Sequence, residues 1–448
     1  MLGLGDTGLS MTRWLTRQGA VVSVADTRAA PPHAPLLARE MPAVRLRTGH
    51  FHQDDFRQAE MLAVSPGVDT RVDEVSAAIK RGTPITGDVE LFARTLHARE
   101  DAAEVIAITG SNGKSTVTAL CSAMCVAAQR DTVMAGNIGL PVLDVLTQID
   151  EGRAMPDVFV LELSSFQLET MTSLAPVAAT MLNLSEDHLD RYDSFAAYGA
   201  AKARIFANGG VQVLNRDDAH SLAMMRAGGA KHGVATFGLS APRSEHEWGL
   251  SRGQLTQGDT ALVPLADLPL AGLHNAMNAL AAGALCDAAG VSQVAMVNAL
   301  RSFKGLPHRV EKINEINEIA FYDDSKGTNV GATVAALTGM QQPVVLIAGG
   351  DGKGQDFAPL AAAATRARAV VLIGRDANLI ARILEPTGVI ILRAGDMVKA
   401  VEAAYHAAKP GDAVLLSPAC ASYDMFRSYV HRAEVFVLAV SQLAQRIS

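Results

Sequence analysis

Cysteine is scarce: four residues in 448, at positions 121, 125, 286 and 420, with no C-x-x-C pair and no clustered histidines beside them. This argues against a zinc site and a disulfide framework, and it fits a reducing compartment. Cys121 and Cys125 stand one helical turn apart and read as packing residues. Aromatic residues make up only 5% of the chain, no basic run occurs, and the formal net charge is −7, which together argue against a nucleic-acid partner. No apolar stretch reaches 18 residues, so no membrane span is expected, and the N-terminus lacks a basic-then-apolar export pattern. The expectation is a soluble, cytoplasmic protein. Its length suggests about three domains of roughly 150 residues each.

The most informative stretch present is Ile106-Ala107-Ile108-Thr109-Gly110-Ser111-Asn112-Gly113-Lys114-Ser115-Thr116. A short apolar strand enters a small-residue turn and then a helix. Two glycines let backbone N–H groups close around an anion, the helix N-terminus adds about half a positive charge, and Lys114 and Ser115 can reach phosphate and magnesium. ATP is the natural ligand. The general P-loop spacing asks for a further glycine where Ile108 stands, so the match is partial, and an ordinary helix start is the bland alternative.

The chain opens with Gly3-Leu4-Gly5-Asp6-Thr7-Gly8, a G-x-G-x-x-G, followed by an amphipathic helix and a strand over 20–25 ending at Asp26. On paper this is a dinucleotide fingerprint, so a dehydrogenase stays under consideration. Only Met1 and Leu2 precede Gly3, too few for a central strand. The expectation is a start upstream of this sequence or a truncated chain, with a first domain of low stability. From Ala103 the pattern restarts: P-loop, helix to about Gln129, strand near Thr132, the loop Gly136-Asn137-Ile138-Gly139, a helix from Pro141, and buried strands over 157–163 and 177–184. A third unit begins near 306, with strands over 319–322, 344–348, 370–373 and 413–417 between alanine-rich helices. The fold class is α/β: a Rossmann-like N-terminal domain with an incomplete first strand (1–92), a central P-loop parallel-sheet domain (93–305) and a C-terminal Rossmann-like domain (306–448).

Glu162 lies in the apolar run Val158–Leu163, where a lone carboxylate is costly unless paired or bound to metal. With Ser115 it offers two hard oxygen ligands for magnesium; a solvated strand end is the alternative. Asn183–Arg191 is a polar loop on the ligand edge, and by itself neither His188 nor Lys202 is distinguished from ordinary surface. His308-Arg309, Asp323–Asn329 and Gly349–Gly354 mix glycine and charge after strands, which suits an anion or an exposed turn alike. No nucleophile elbow supports a serine triad.

Together TGSNGKST, GNIG, LELSSFQLE, SEDHLDRY, HNAMNA, GLPHRVE, DDSKGTN, GGDGKG and SPACAS resemble the Mur ligases of peptidoglycan precursor synthesis, over nearly the whole chain. No D-N-P-R occurs, so within that family the resemblance points to the member that adds D-glutamate to a UDP-sugar carrying L-alanine, rather than to the one that adds a diamino acid. It implies a carboxylate activated by ATP as an acyl phosphate and attacked by an amine. It reassigns Asp6, Thr7, Asp26, Thr27 and Arg28, aided by Ser65, Pro66 and Gly67, to the uridine diphosphate, with Asn137 on the same substrate, so no NAD is required.

The resemblance also implies ATP contacts from Gly110, Ser111, Asn112, Gly113, Lys114, Ser115 and Thr116, adenine contacts from Asn275 and Asn278, and closure by Arg309, Asp324 and Lys326. It implies a first magnesium on Ser115 and Glu162, and a second on His188 and on Lys202 carrying CO2 as a carbamate. Lys114, His188 and Lys202 would be the catalytic set. Thr328, Lys353, Ser422 and Tyr429 match D-glutamate positions, with Tyr429 standing where phenylalanine is common. The implied partners are small molecules only, with no nucleic acid or membrane, and the implied state is a monomer. Alternatives at this point are another Mur-type or folylpolyglutamate-type ligase, or a non-catalytic nucleotide-binding relative.

Overall fold

The apolar runs between glycine-rich turns pair as parallel strands because both their faces are covered by helices. The computed structural model describes residues 1–99, 103–188, 191–224, 233–270 and 272–447; Leu189 and Asp190 of the SEDHLDRY motif lie outside them. Among the described residues the largest sheet has nine strands, in the order Thr260–Pro264, Gln254–Gln257, Glu247–Ser251, Val234–Phe237, Val211–Asn215, Ala178–Met181, Glu104–Thr109, Val158–Glu162 and Thr132–Gly136. The last seven run parallel, and the first two extend the sheet as an antiparallel meander in which Gln254–Gln257 alone is reversed. The P-loop strand Glu104–Thr109 is central, so its C-terminal turn opens where α/β sheets place their ligands.

One face of this sheet is covered by the helices Lys114–Ala127, Leu273–Ala288 and Gln293–Ser302. The alanine-rich sequence of Leu273–Ala288 lets it approach closely: a Cβ on Gly283 would lie 2.9 Å from Cη2 of the buried Trp248. Cys121, Cys125 and Cys286 are buried in this layer, and Cys420 is buried in the third unit, all as free thiols. The packing reading of the cysteines holds.

The third unit is a six-stranded sheet in the order Glu311–Ile316, Ile319–Asp323, Ala413–Leu416, Val344–Gly349, Ala367–Ile373, Ile390–Arg393, parallel except for its first pair. Its last helix, Tyr429–Ile447, covers one face through Phe436, Ala439, Val440 and Leu443. In the first unit, Ser23–Asp26 pairs in parallel with Arg45–Thr48, and Leu62–Ala63 with Ile85–Thr86. Leu2 stands between the two pairs, bridged to Ala25 on one side and Val64 on the other. The expected central strand is therefore a single bridged residue, and the adjoining strand begins at Ser23 rather than at residue 20. Trp14 is buried in the helix Asp6–Arg17 that follows. No helix among the described residues is long and apolar enough to cross a membrane.

Glu90 fastens the helix Asp88–His97 to the central unit. It is 1% exposed and accepts four hydrogen bonds at 2.6–2.8 Å from the backbone N–H and hydroxyl groups of Thr172 and Ser173, with a fifth from Arg94 Nε. Burial pushes its carboxyl upward, but these donors outweigh burial and hold it down at about 2. The folded pKa lies below the unfolded value of about 4.3, so the stabilisation is complete above that pH and is lost as pH falls toward 2. Glu90→Gln is expected to cost on the order of 2 kcal/mol at pH 7 and to flatten the acid limb of stability; thermal melts from pH 7 to pH 2.5 measure both.

Candidate active site

The P-loop turn forms as its glycines require. Gly110 has φ of 146° and Gly113, capping the helix Lys114–Ala127, has φ of 84°. A Cβ on Gly113 would also lie 2.5 Å from Asn278 Oδ1, so the turn is pressed against the HNAMNA helix. Lys114 Nζ folds back to donate to the carbonyls of Gly110 at 2.8 Å and Ser111 at 2.9 Å. Burial lowers its pKa, while Glu162 and Asp187 oppose that shift.

Lys202, on the helix Phe195–Ala203, reaches the same turn. It is 2% exposed; Nζ donates to the Gly110 carbonyl at 2.9 Å and to Thr109 Oγ1 at 3.3 Å, and lies 4.8 Å over the ring of Tyr198. Burial, then the neighbouring Lys114, hold it well below the ordinary lysine range. A lysine so placed is not ordinary surface. Tyr198, which the sequence reading did not single out, is buried with its hydroxyl 3.2 Å from Ser111 Oγ.

Glu162 is 2% exposed. Its Oε1 accepts from Asn137 Nδ2 at 2.8 Å, whereas the buried Oε2 has no hydrogen-bond partner. An orphaned carboxylate oxygen in a cavity that also contains Ser115 and His188 fits a divalent cation. Burial lowers the pKa of His188 despite Asp187 beside it, which favours the neutral, ligating imidazole. Burial alone would raise Asp187, but His188, Lys353 and Lys114 hold it below its ordinary value. His188, Val310 and Lys353 all line the cavity in the left-handed region, with φ of 56°, 50° and 51°. Backbone strain of this kind collects at functional sites.

The third unit faces the P-loop directly. Arg309 Nη2 donates to Ser115 Oγ at 2.8 Å, Asn329 Nδ2 to Asn112 Oδ1 at 3.0 Å, and Lys353 Nζ lies 3.6 Å from Asp187 Oδ1. Lys326 Nζ sits 3.9 Å over the Tyr429 ring, and burial lowers its pKa to about 8. Asp324 accepts from Ser417 Oγ at 2.7 Å, and burial raises it to about 7. Arg432 braces this wall from behind, donating to Ser325 Oγ, Ser325 O and Cys420 O at 2.7–3.0 Å.

One cavity of about 890 Å³ gathers Ser111 to Thr116, Asn137, Glu162, His188, Lys202, Asn275, Asn278, Arg309, Asp324, Lys326, Thr328, Lys353, Ser422 and Tyr429, with Gly67 at its rim. Asp6, Thr7, Asp26, Thr27, Arg28, Ser65 and Pro66 lie outside that lining, in the first unit. Asp26 is committed internally: Oδ2 accepts from Leu4 N–H and Arg28 Nη2, and Oδ1 from Arg28 N–H and Nε. It shapes the glycine turn and aims Arg28.

Family models match three stretches: Mur ligase MurD-like, N-terminal domain (1–87), Mur ligase middle domain (108–286) and Mur ligase, glutamate ligase domain (308–420). The chain belongs to the Mur ligase family. UDP-N-acetylmuramoylalanine--D-glutamate ligase of Methylobacillus flagellatus is 57% identical over 100% of this chain and 97% of its own length. The protein of the same name from Thiobacillus denitrificans is 57% identical over 99% and 96%. Among solved structures, UDP-N-acetylmuramate-alanine ligase of Thermotoga maritima superposes with a TM-score of 0.61 at 18% identity, covering 99% of this chain and 98% of its own. A pseudomurein peptide ligase type C of Methanothermus fervidus gives 0.61 at 17% identity, covering 99% of each chain. At those identities the structures show the shared fold.

The crowding at Gly113 gives a direct expectation for this Mur ligase. Gly113→Ala forces a left-handed alanine against Asn278 and is expected to cost about 1–3 kcal/mol and to weaken ATP binding at least ten-fold; calorimetric melts and ATP titration check the two effects.

Proposed function

We propose that this chain is an ADP-forming ligase that joins the amine of D-glutamate to the carboxylate of UDP-N-acetylmuramoyl-L-alanine in peptidoglycan precursor synthesis. The observation that carries the reading is one cavity in which a P-loop, an orphaned Glu162 oxygen, His188 and basic side chains of the third unit converge, in a chain 57% identical along its length to ligases of that name. Residues 1–92 would bind the UDP-sugar, 93–305 the ATP, and 306–448 the amino acid while closing over the nucleotide. The enzyme would work in the cytoplasm as a monomer.

A carboxylate is a poor electrophile, so its activation is the step to be catalysed. The substrate carboxylate attacks the γ-phosphorus of ATP and ADP leaves; the D-glutamate amine then attacks the acyl carbon, a C–N bond forms, and phosphate departs as the nitrogen loses a proton. Gly110 to Thr116 cradle the phosphates, and Lys114 meets the charge that develops between them. Ser115 and Glu162 would hold one Mg²⁺, and His188 with Lys202 a second. Those ions would supply neutralisation of phosphoryl charge and in-line orientation. Asn137 fixes the Glu162 carboxylate from one side. Asn275 and Asn278 would face the adenine, Arg309, Asp324 and Lys326 the phosphates, and Thr328, Lys353, Ser422 and Tyr429 the D-glutamate, with Lys353 neutralising a carboxylate.

Burial and Lys114 favour the free-amine form of Lys202, the form that adds CO2: a C–N bond forms as one C–O π bond opens, one proton leaves the nitrogen, and the neutral amine becomes an anion suited to the second Mg²⁺. Lys202→Ala is expected to lose most activity, about 100-fold or more, and to recover part of it with added formate or acetate; unchanged activity in the variant would remove the carbamate from the mechanism. The substrate reading is tested by ADP release with UDP-N-acetylmuramoyl-L-alanine, Mg²⁺ and bicarbonate, comparing D-glutamate, L-glutamate, a diamino acid and no amino acid. Turnover with D-glutamate alone is expected. Turnover with another acceptor would move the substrate, and no turnover would indicate a non-catalytic relative.

A further inference from the structure

Arg191 stands where three separate pieces of the chain meet. Its side chain is 17% exposed. Its Cζ lies 4.5 Å over the Phe166 ring, Nη2 donates to the Val68 carbonyl at 3.2 Å, and Nη1 approaches the Gly67 carbonyl at 3.5 Å. The buried Nε has no hydrogen-bond partner, and its nearest carboxylate oxygen, Asp69 Oδ2, is 3.7 Å away and already taken by Arg71. Gly67 and Val68 belong to the loop of the first unit that follows Ser65-Pro66, and Phe166 to the short helix Ser165–Glu169 beside Glu162.

The backbone completes the junction. Arg191 N–H donates to the His188 carbonyl at 2.9 Å and Tyr192 N–H to the same oxygen at 3.2 Å, tying both residues to His188, which holds a left-handed φ. Phe166 touches the His188 ring edge-on at 4.9 Å and stacks on Tyr192 at 5.9 Å. A shift of the 67–68 carbonyls therefore reaches His188 by two routes, through the Arg191 N–H bond to its carbonyl and through the Phe166 ring. The cavity lysines Lys114 and Lys202 turn instead to the Gly110 carbonyl and Lys353 to Asp187, with no link to the first unit among the described residues.

We infer that Arg191 is a positioning residue that couples the substrate loop of the first unit to the His188 turn, so that binding of the UDP-sugar tightens binding of the divalent cation. This rests on the function proposed above. A guanidinium is needed because it can fork between two carbonyls while lying flat on an aromatic face, which an ammonium cannot do. The coupling is reciprocal, and an interdomain link of this kind is worth about 5- to 150-fold in affinity.

The test uses Mn²⁺ as the probe, followed by electron paramagnetic resonance with a non-hydrolysable ATP analogue, with and without UDP-N-acetylmuramoyl-L-alanine. In the unmodified protein the UDP-sugar is expected to tighten Mn²⁺ about ten-fold. Arg191→Ala and Arg191→Lys should both still bind Mn²⁺ and the ATP analogue but lose that increase, a change that a merely structural role would not produce. Coupling retained in Arg191→Ala, or restored by Arg191→Lys, would overturn the inference. Should Arg191→Ala fail to fold, Phe166→Leu removes the stacking face and is expected to lose the coupling as well. If the unmodified protein binds no UDP-sugar, the substrate reading falls and this inference with it; if it binds the sugar without tightening Mn²⁺, only the inference falls.

Discussion

A single carbonyl oxygen organises the site. Gly110 accepts from both Lys114 and Lys202, two amines brought from different helices to within hydrogen-bonding distance of one atom in a buried turn. Burial depresses both pKa values, with Lys114 adding to the shift of Lys202 and Arg309 and Lys353 to that of Lys114, while Glu162 and Asp187 oppose it. Around that carbonyl gather the orphaned oxygen of Glu162, the left-handed His188 and the Lys353–Asp187 pair from the third unit. Removing any one group leaves the others uncompensated, so effects of substitutions here should not add.

The cavity lining carries six basic side chains, Lys114, Arg191, Lys202, Arg309, Lys326 and Lys353, against three acidic ones, Glu162, Asp187 and Asp324. The chain as a whole has a formal charge of −7. Basic side chains are thus concentrated in one concave place on a negative protein, an arrangement that favours multiply charged phosphates there. Conversion of Lys202 to a carbamate would shift that balance locally, where the proposed second metal ion adds its own charge.

Much of this was legible in the sequence. Strands of continuous apolar residues such as Val158–Glu162 and Val344–Gly349 announce themselves, and the P-loop is recognisable from its glycines and lysine. The antiparallel extension Glu247–Pro264 was not, since its three short strands alternate weakly and are joined by turns at Gly253 and Gly258. The four internal hydrogen bonds of Asp26 depend on where Leu4 and Arg28 fold, which the glycine fingerprint does not report. Tyr198 and Arg191 act through contacts dozens of residues away. Arg432 did leave a trace: it shares one helical face with Ala433, Phe436 and Val440, and an arginine on an apolar face asks for buried acceptors.

Both tryptophans are buried, Trp14 in the first unit and Trp248 against Gly283 in the central one, while residues 306–448 contain none. The third unit carries four of the six tyrosines instead, at 322, 405, 423 and 429. Indole emission therefore watches two lobes and is nearly blind to the one that holds Lys326 and Lys353. An unfolding curve followed at tryptophan wavelengths would report a transition from which that lobe is absent, and its agreement or disagreement with calorimetry becomes a measure of whether the lobes melt together. A tryptophan introduced at the 76% exposed Tyr423, on the cavity rim, would give the missing lobe an optical signal of its own.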